Sequence, residues 1–289
     1  MLDPRNTRGS AAAFLLSLGL APVALACTVA IDSGRVQCSS DKDCTQRGGA
    51  FAGAQCLEST CHASTSSEWS CLGSVVWPSA SSGSVTATLN LKDLVTQQPI
   101  VGVSARVCRK LDTTCAQPIG SDVQSDAAGK VVLQVVAGFD GYVELKMAGA
   151  MPGIYFFYPP LNESREVPFV PILSLSALST FAGLVGGQVS PDRGHVLLGA
   201  YNCLHNPSEG VRFSSPDSDA LTFPFYMIKG IPSATAAATD SQGYGGILNL
   251  RPGSVTLAGG LLTGETIGTE GVLTRAGELT YTTMLPAPR

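Results

Sequence analysis

The thiols are the first side chains of this 289-residue chain that call for a chemistry, nine of them, at 27, 38, 44, 56, 61, 71, 108, 115 and 203. Cysteines at such density either hold a soft metal as thiolates or oxidise in pairs. Structural zinc favours C-x2–4-C knuckles, and within C-x5-C-x11-C-x4-C-x9-C over Cys38–Cys71 only Cys56 and Cys61 come near that spacing. His62 beside Cys61 adds a lone imidazole, so disulfides are expected instead of a metal. The stretch is too small and polar to hold together by burial, and covalent staples must do that work. Acyl transfer needs a nucleophile, a base and an orienter. The chain has three histidines, His62, His195 and His205, and no Gly-x-Ser-x-Gly elbow, so a hydrolase is not expected. His195, Tyr201 and His205 stand close in sequence and form the one donor set that an iron-dependent enzyme could use. Asp217-Ser218-Asp219 lacks the glycine and distal glutamate of a calcium loop and reads as a solvated turn.

The first residues carry an address. Arg5 and Arg8 precede the apolar run Ala11–Leu20, which is too short to cross a bilayer of about 30 Å, and Ala24-Leu25-Ala26 is a small-x-small cleavage site. Residues 1–26 read as a secretory signal. Ala24-Leu25-Ala26-Cys27 resembles a bacterial lipobox, with Ala24 where Leu or Val is commonest and Leu25 displaced by one position. The resemblance implies lipidation of Cys27, a membrane partner engaged through that lipid, and, with Thr28 next, delivery to the outer membrane. Ordinary cleavage, which would leave Cys27 for a disulfide in a periplasmic or secreted protein, is the alternative. Setting Cys27 aside leaves eight thiols, the even number a disulfide framework needs, although eight permit 105 connectivities. By analogy with small secreted cysteine modules, Cys38–Cys56 and Cys44–Cys61 are expected. Cys108 and Cys115 flank a loop that a disulfide would pin, and Cys71 and Cys203 remain for each other.

Composition excludes some partners. The net charge of −4 and a pI near 5.4 argue against a nucleic-acid binder, which needs a basic face. With 44% hydrophobic residues and 14% charged ones, the chain can bury a real core. No cofactor is implied. Tyr155-Phe156-Phe157-Tyr158-Pro159-Pro160 and Phe223-Pro224-Phe225-Tyr226 are its aromatic concentrations. In a strand, alternate residues share a face. Tyr155 and Phe157 would share one, and with Phe223 and Tyr226 they are the candidates for binding a glycan or an envelope protein, unless both faces are covered.

The elements that must hold these residues are strands. Apolar residues recur every second position at 85–91, 101–107 and 143–147, with Gly, Pro, Asp and Ser between the runs. A pattern then repeats: Gly102-Val103 and Ser125-Asp126-x-x-Gly129 return as Gly210-Val211 and Thr239-Asp240-x-x-Gly243. Each Asp-x-x-Gly is a turn, the carboxylate accepting from backbone ahead and the glycine supplying a positive φ. With Asn249-Leu250-Arg251-Pro252-Gly253 and Val255-Thr256-Leu257, the second half resembles carboxypeptidase regulatory-like domains of transthyretin (prealbumin) fold. The first half resembles them less closely, since Gly138-Phe139-Asp140-Gly141 replaces Pro-Gly. The resemblance implies a non-catalytic accessory sandwich and transfers no catalytic residue. On a related sandwich, intradiol dioxygenases bind iron through two tyrosines and two histidines, but the His-x-His pairing they use is missing here.

The expected organisation is a signal peptide (1–26), a lipid-anchor tether with a cysteine-rich module (27–73), a first β-sandwich (74–171), a helical connector (172–190) and a second β-sandwich (191–289). The connector places apolar residues at 175, 178, 181 and 184, closed by Gly186-Gly187. The fold is mainly β, with two tandem transthyretin-like sandwiches. The expected function is a non-enzymatic binding or structural module of the cell envelope, with a metal-dependent enzyme using His195, Tyr201 and His205 as the alternative.

Overall fold

The two Asp-x-x-Gly turns, one in each repeat, are built on the same plan. In this computed structural model, which describes residues 38–47, 54–62, 67–80, 82–185 and 189–288, Gly129 and Gly243 both have φ +74°. Each donates its N–H to the carbonyl of its aspartate, Asp126 or Asp240, at 2.9 Å. A Cβ on either glycine would stand 2.5 Å from a carbonyl oxygen, of Leu91 or Ala200, so glycine is required twice over, by conformation and by space. One residue before each aspartate, a hydroxyl closes a second bracket. Ser125 Oγ donates to Ile100 O and accepts from Val103 N, and Thr239 Oγ1 does the same with Ser208 O and Val211 N. Signal residues 1–26, Cys27 and Gly186-Gly187 lie outside the described residues.

These residues fall into two compact bodies, within Met1–His62 and Ala63–Arg289. In the first, Asp43 accepts from the N–H groups of Ser39 and Ser40 at the head of α1 (Asp41–Thr45). Strands β1 (Gln55–Leu57) and β2 (Thr60–His62) form a hairpin through Glu58 and Ser59, both at positive φ, as a two-residue turn needs. Disulfides Cys38–Cys56 and Cys44–Cys61 tie this hairpin to the helix and to the residues before it.

The second body holds the strands β3 (Ser84–Asp93), β4 (Ser104–Arg109), β5 (Ile119–Gln124), β6 (Lys130–Val136), β7 (Gly141–Lys146), β8 (Gly153–Phe156) and β9 (Arg165–Ile172). Helix α2 (Leu175–Leu184) follows, then β10 (Gly194–Ala200), β11 (Val211–Ser214), β12 (Phe223–Ile228), β13 (Ile231–Ser233), β14 (Tyr244–Leu250), β15 (Gly253–Leu261), β16 (Thr266–Thr274) and β17 (Leu279–Met284). The first set makes the sheets β6-β3-β9 and β8-β7-β4-β5, and the second repeats them as β14-β10-β17 and β16-β15-β11. In both, the opening strand pairs antiparallel on one side and parallel with the closing strand on the other. The chain is mainly β, and each repeat is a sandwich.

One feature is absent from the sequence pattern. Parallel pairing of β8 with β17, Tyr155 opposite Tyr281, joins one sheet of the first sandwich to one of the second. The result is a single nine-stranded sheet, β13-β12-β14-β10-β17-β8-β7-β4-β5. The β6-β3-β9 sheet and α2 cover one of its faces, and β11-β15-β16 covers the other. Strands near the seam are therefore buried on both faces. Val143, Tyr155 and Leu197 enter one core, while Tyr142, Phe156 and Leu198 enter the other. Helix α2 packs through Phe181, edge-on to Phe225 at 5.0 Å, and through nearby Val185. Leu175 and Leu184, placed on its buried stripe by spacing, are exposed.

Candidate functional site

Because β10, β17 and β8 run parallel to one another, their C-terminal ends emerge together. A cleft of about 720 Å³ opens there. The end of β8 contributes Tyr155 and Tyr158, the start of β9 Arg165, β17 Tyr281 and Thr283, and the residues after β10 Tyr201 and Asn202. The facing wall is the extended segment Ser74–Pro78, with half-buried Trp77 on it. Two bonds hold this segment in place. The disulfide Cys71–Cys203 fixes its root, and Asn162 Nδ2 donates to Pro78 O at 2.6 Å. Trp77 also meets Tyr158 edge to face at 5.2 Å, a favourable aromatic geometry.

The floor is phenolic. Tyr155 and Tyr281 pack with their rings tilted by 34° at 5.7 Å, and Tyr244 gathers with Tyr201 and Tyr281 around Gly199. Gly199 makes room for this group: a Cβ there would lie 3.1 Å from Tyr201 and 3.3 Å from both Tyr244 and the Tyr281 hydroxyl. Burial pushes the phenols of Tyr155, Tyr244 and Tyr281 above their ordinary range and that of Tyr158 to about 12, so all four stay neutral donors.

Arg165 is the cationic member. It is half-buried, and burial draws its guanidinium below the ordinary value. Nη1 donates to the carbonyls of Tyr158 and Pro159, at 3.4 and 3.2 Å. No carboxylate among the described residues lies within ion-pair distance of it. The Nε–Nη2 edge, which grips carboxylates bidentately, has no partner within the described protein.

The residues singled out from sequence fall as follows. Cys108 is bonded to Cys115 and Cys71 to Cys203, so with Cys38–Cys56 and Cys44–Cys61 every described cysteine is paired. Of the aromatic candidates, Phe157 and Tyr226 are core residues and Phe223 packs half-buried against a core. They form no exposed platform, because the fused sheet is covered on both faces. Tyr155 is buried too, although it forms part of the cleft floor.

The proposed metal set does not assemble. His195 starts β10 and Tyr201 follows its end, six residues or about 20 Å along an extended strand. His195 is 2% exposed and neutral, its pKa depressed by burial to about 4, with Nδ1 accepting from Asn249 N. His205 is exposed on the rim of the cleft. Asp217 and Asp219 are not simply solvated either: Asp217 accepts from Thr256 N, and Asp219 from Arg193 and Arg251. Sequence reasoning missed Arg165, Trp77, Tyr244 and Tyr281. Arg165, Trp77 and Tyr281 meet at the cleft and Tyr244 packs next to it only through tertiary pairing, and no local spacing carries that.

No protein-family model matches the chain, and no curated protein matches it. Among solved structures, the group B streptococcus pilus 2b backbone protein aligns at 13% identity over 33% of this chain and 43% of that one, with a TM-score of 0.26. The Streptococcal ancillary pilin aligns at 12% over 71% and 63%, with a TM-score of 0.25. BcpA, the major pilin subunit of Bacillus cereus, aligns at 9% over 67% and 68%, also at 0.25. The first two are matched over less than two thirds of their own length, and scores this low carry no argument about what this chain does.

Proposed function

We propose that this chain is an exported, non-enzymatic binding module of the cell envelope, tethered to the outer membrane through lipidated Cys27 and taking its ligand in the cleft beside Trp77. The observation that carries the reading is the cleft itself. Its volume of about 720 Å³ falls in the range of ligand sites, about 300–1,000 Å³. It offers an aromatic wall and neutral hydroxyl donors without a nucleophile beside a base. Four disulfides support export, since such bonds persist in oxidising compartments. Among the described residues no helix is long and apolar enough to cross a membrane, and the lipid would supply the attachment. Several acyl chains on one residue hold a protein stably where one chain is marginal.

Two measurements test the reading. Growth with labelled palmitate should label the wild type and leave Cys27→Ser unlabelled; an unlabelled wild type removes the anchor. Trp77 emission should change when fragments of the native envelope are added, and Trp77→Ala should reduce retention of those fragments at least about tenfold. Equal retention by both forms removes the cleft as the binding site.

A further inference from the structure

We propose that the ligand taken by this cleft is an acidic saccharide whose carboxylate docks on the Nε–Nη2 edge of Arg165, an inference that rests on the binding reading above. Three observations converge on it. A guanidinium withdrawn from water with no anionic partner pays a desolvation cost that a carboxylate would relieve. Arg165 is in that state, with Nη1 committed to two carbonyls at 3.4 and 3.2 Å and the opposite edge unpartnered. The groups on the same rim do not already supply the anion. Glu163 is exposed and acts on the guanidinium only from beyond ion-pair distance, and Glu166 is engaged by Asn90 at 3.0 Å and Lys130 at 3.6 Å.

The second observation is the floor. Asn202 and Thr283 line it but are engaged by Glu68 and by the Tyr158 carbonyl, so half-buried Tyr201 and exposed His205 are the polar groups that a hydroxyl-rich ligand would meet. Half-buried Trp77 on the facing wall offers an aromatic surface to the apolar side of a pyranose ring. The third concerns the competing occupant, an extended peptide added to the free edge of β9. That edge carries Pro168 and Pro171. Proline removes the N–H donors on which strand addition depends. A sugar needs no such ladder.

The test prints glucuronic-, galacturonic- and N-acetylneuraminic-acid oligosaccharides beside their methyl esters and offers both sets to the purified full chain. At least one acid should bind about tenfold more tightly than its ester, as a charge-assisted bidentate contact requires. Arg165→Lys, which keeps the charge and loses the fork, should lose much of that preference, and Arg165→Gln should bring acid and ester within about twofold. Because the acid–ester comparison is made on the wild type, it stands even if a variant fails to fold. Esters bound as tightly as acids would overturn the carboxylate inference and leave the cleft reading intact, since Trp77 emission would still respond. No retained sugar of either form would overturn the saccharide inference, with the envelope fragments and Trp77→Ala still deciding the cleft reading separately. Retention that neither Trp77→Ala nor the Arg165 variants alter would overturn both.

Discussion

At the scale of single residues, two buried groups tie stability to pH in opposite senses. His195 is held neutral, its folded pKa near 4 against an ordinary 6.5, because burial disfavours the charge. The unfolded chain takes up the proton first, so this contribution is complete above about pH 6.5 and is lost as the pH falls toward 4. Glu270 behaves conversely. Burial raises it to about 8 from 4.5, outweighing the Thr282 hydroxyl and distant Lys110, so the folded state keeps a proton that the unfolded chain gives up. Its contribution is complete below about pH 4.5 and is lost as the pH rises through 8. Melting temperature followed across pH 4 to 9 should therefore show two limbs. His195→Asn, which keeps an acceptor for Asn249 N, should flatten the acid limb alone, and Glu270→Gln the alkaline limb alone; an unaltered limb in either variant refutes its assignment. His195 was legible in the sequence as an imidazole but not as a core group, because burial on both faces depends on pairing across the chain. The Asp-x-x-Gly turns were legible in full, since their chemistry is local. Gly243→Ala, with φ +74° and a carbonyl 2.5 Å from the new methyl, should cost about 1–3 kcal/mol in chemical denaturation, and a neutral result would contradict the geometry.

At the scale of elements, the cysteines and the aromatic runs teach opposite lessons. Analogy with small secreted modules gives Cys38–Cys56 and Cys44–Cys61, the short loop gives Cys108–Cys115 and elimination leaves Cys71–Cys203, and the structure forms all four. The aromatic runs misled because both faces of the fused sheet are covered: Phe157, just past β8, enters one core and Tyr226 of β12 the other, under sheets formed by residues distant in sequence. The same is true of α2, where Leu175 and Leu184 stay exposed while Phe181 and Val185 pack. Among the bonds, Cys71–Cys203 spans 132 residues and Cys108–Cys115 spans 7. In the chain-entropy account, closing the longer loop stabilises more, about 4–5 kcal/mol. Replacing Cys71 and Cys203 with alanine should lower the melting temperature more than replacing Cys108 and Cys115, and should also weaken binding, because both members line the cleft. Loss of stability with binding intact would show that the segment keeps its wall without the bond.

At the scale of the whole second body, the fused sheet joins the two sandwiches through one continuous set of strands. The seam is reinforced beside the strands. Glu144, nearly inaccessible, accepts from Arg275 Nη1 at 2.6 Å, and Arg275 also donates to Thr113 O and the Tyr142 hydroxyl. These contacts link the first repeat to the second. Urea unfolding of this body should follow a single transition by fluorescence and circular dichroism alike. Arg275→Met should cost about 2 kcal/mol, less than a fully buried pair because the guanidinium is partly wetted. Two separated transitions in the wild type would mean that the sandwiches fold independently despite their shared sheet.

The sulfur link at the root of the cleft wall also defines a path for force. Tension reaching residue 71 from an N-terminal tether divides there. One branch follows the backbone toward β3, and the other crosses to Cys203 beside the end of β10. Both branch points border the cleft. Under the tether and cleft binding proposed above, a pull between the two would reach the mouth of the site through a covalent bond as well as through the backbone. The binding surface would keep its shape under shear that loads the tether.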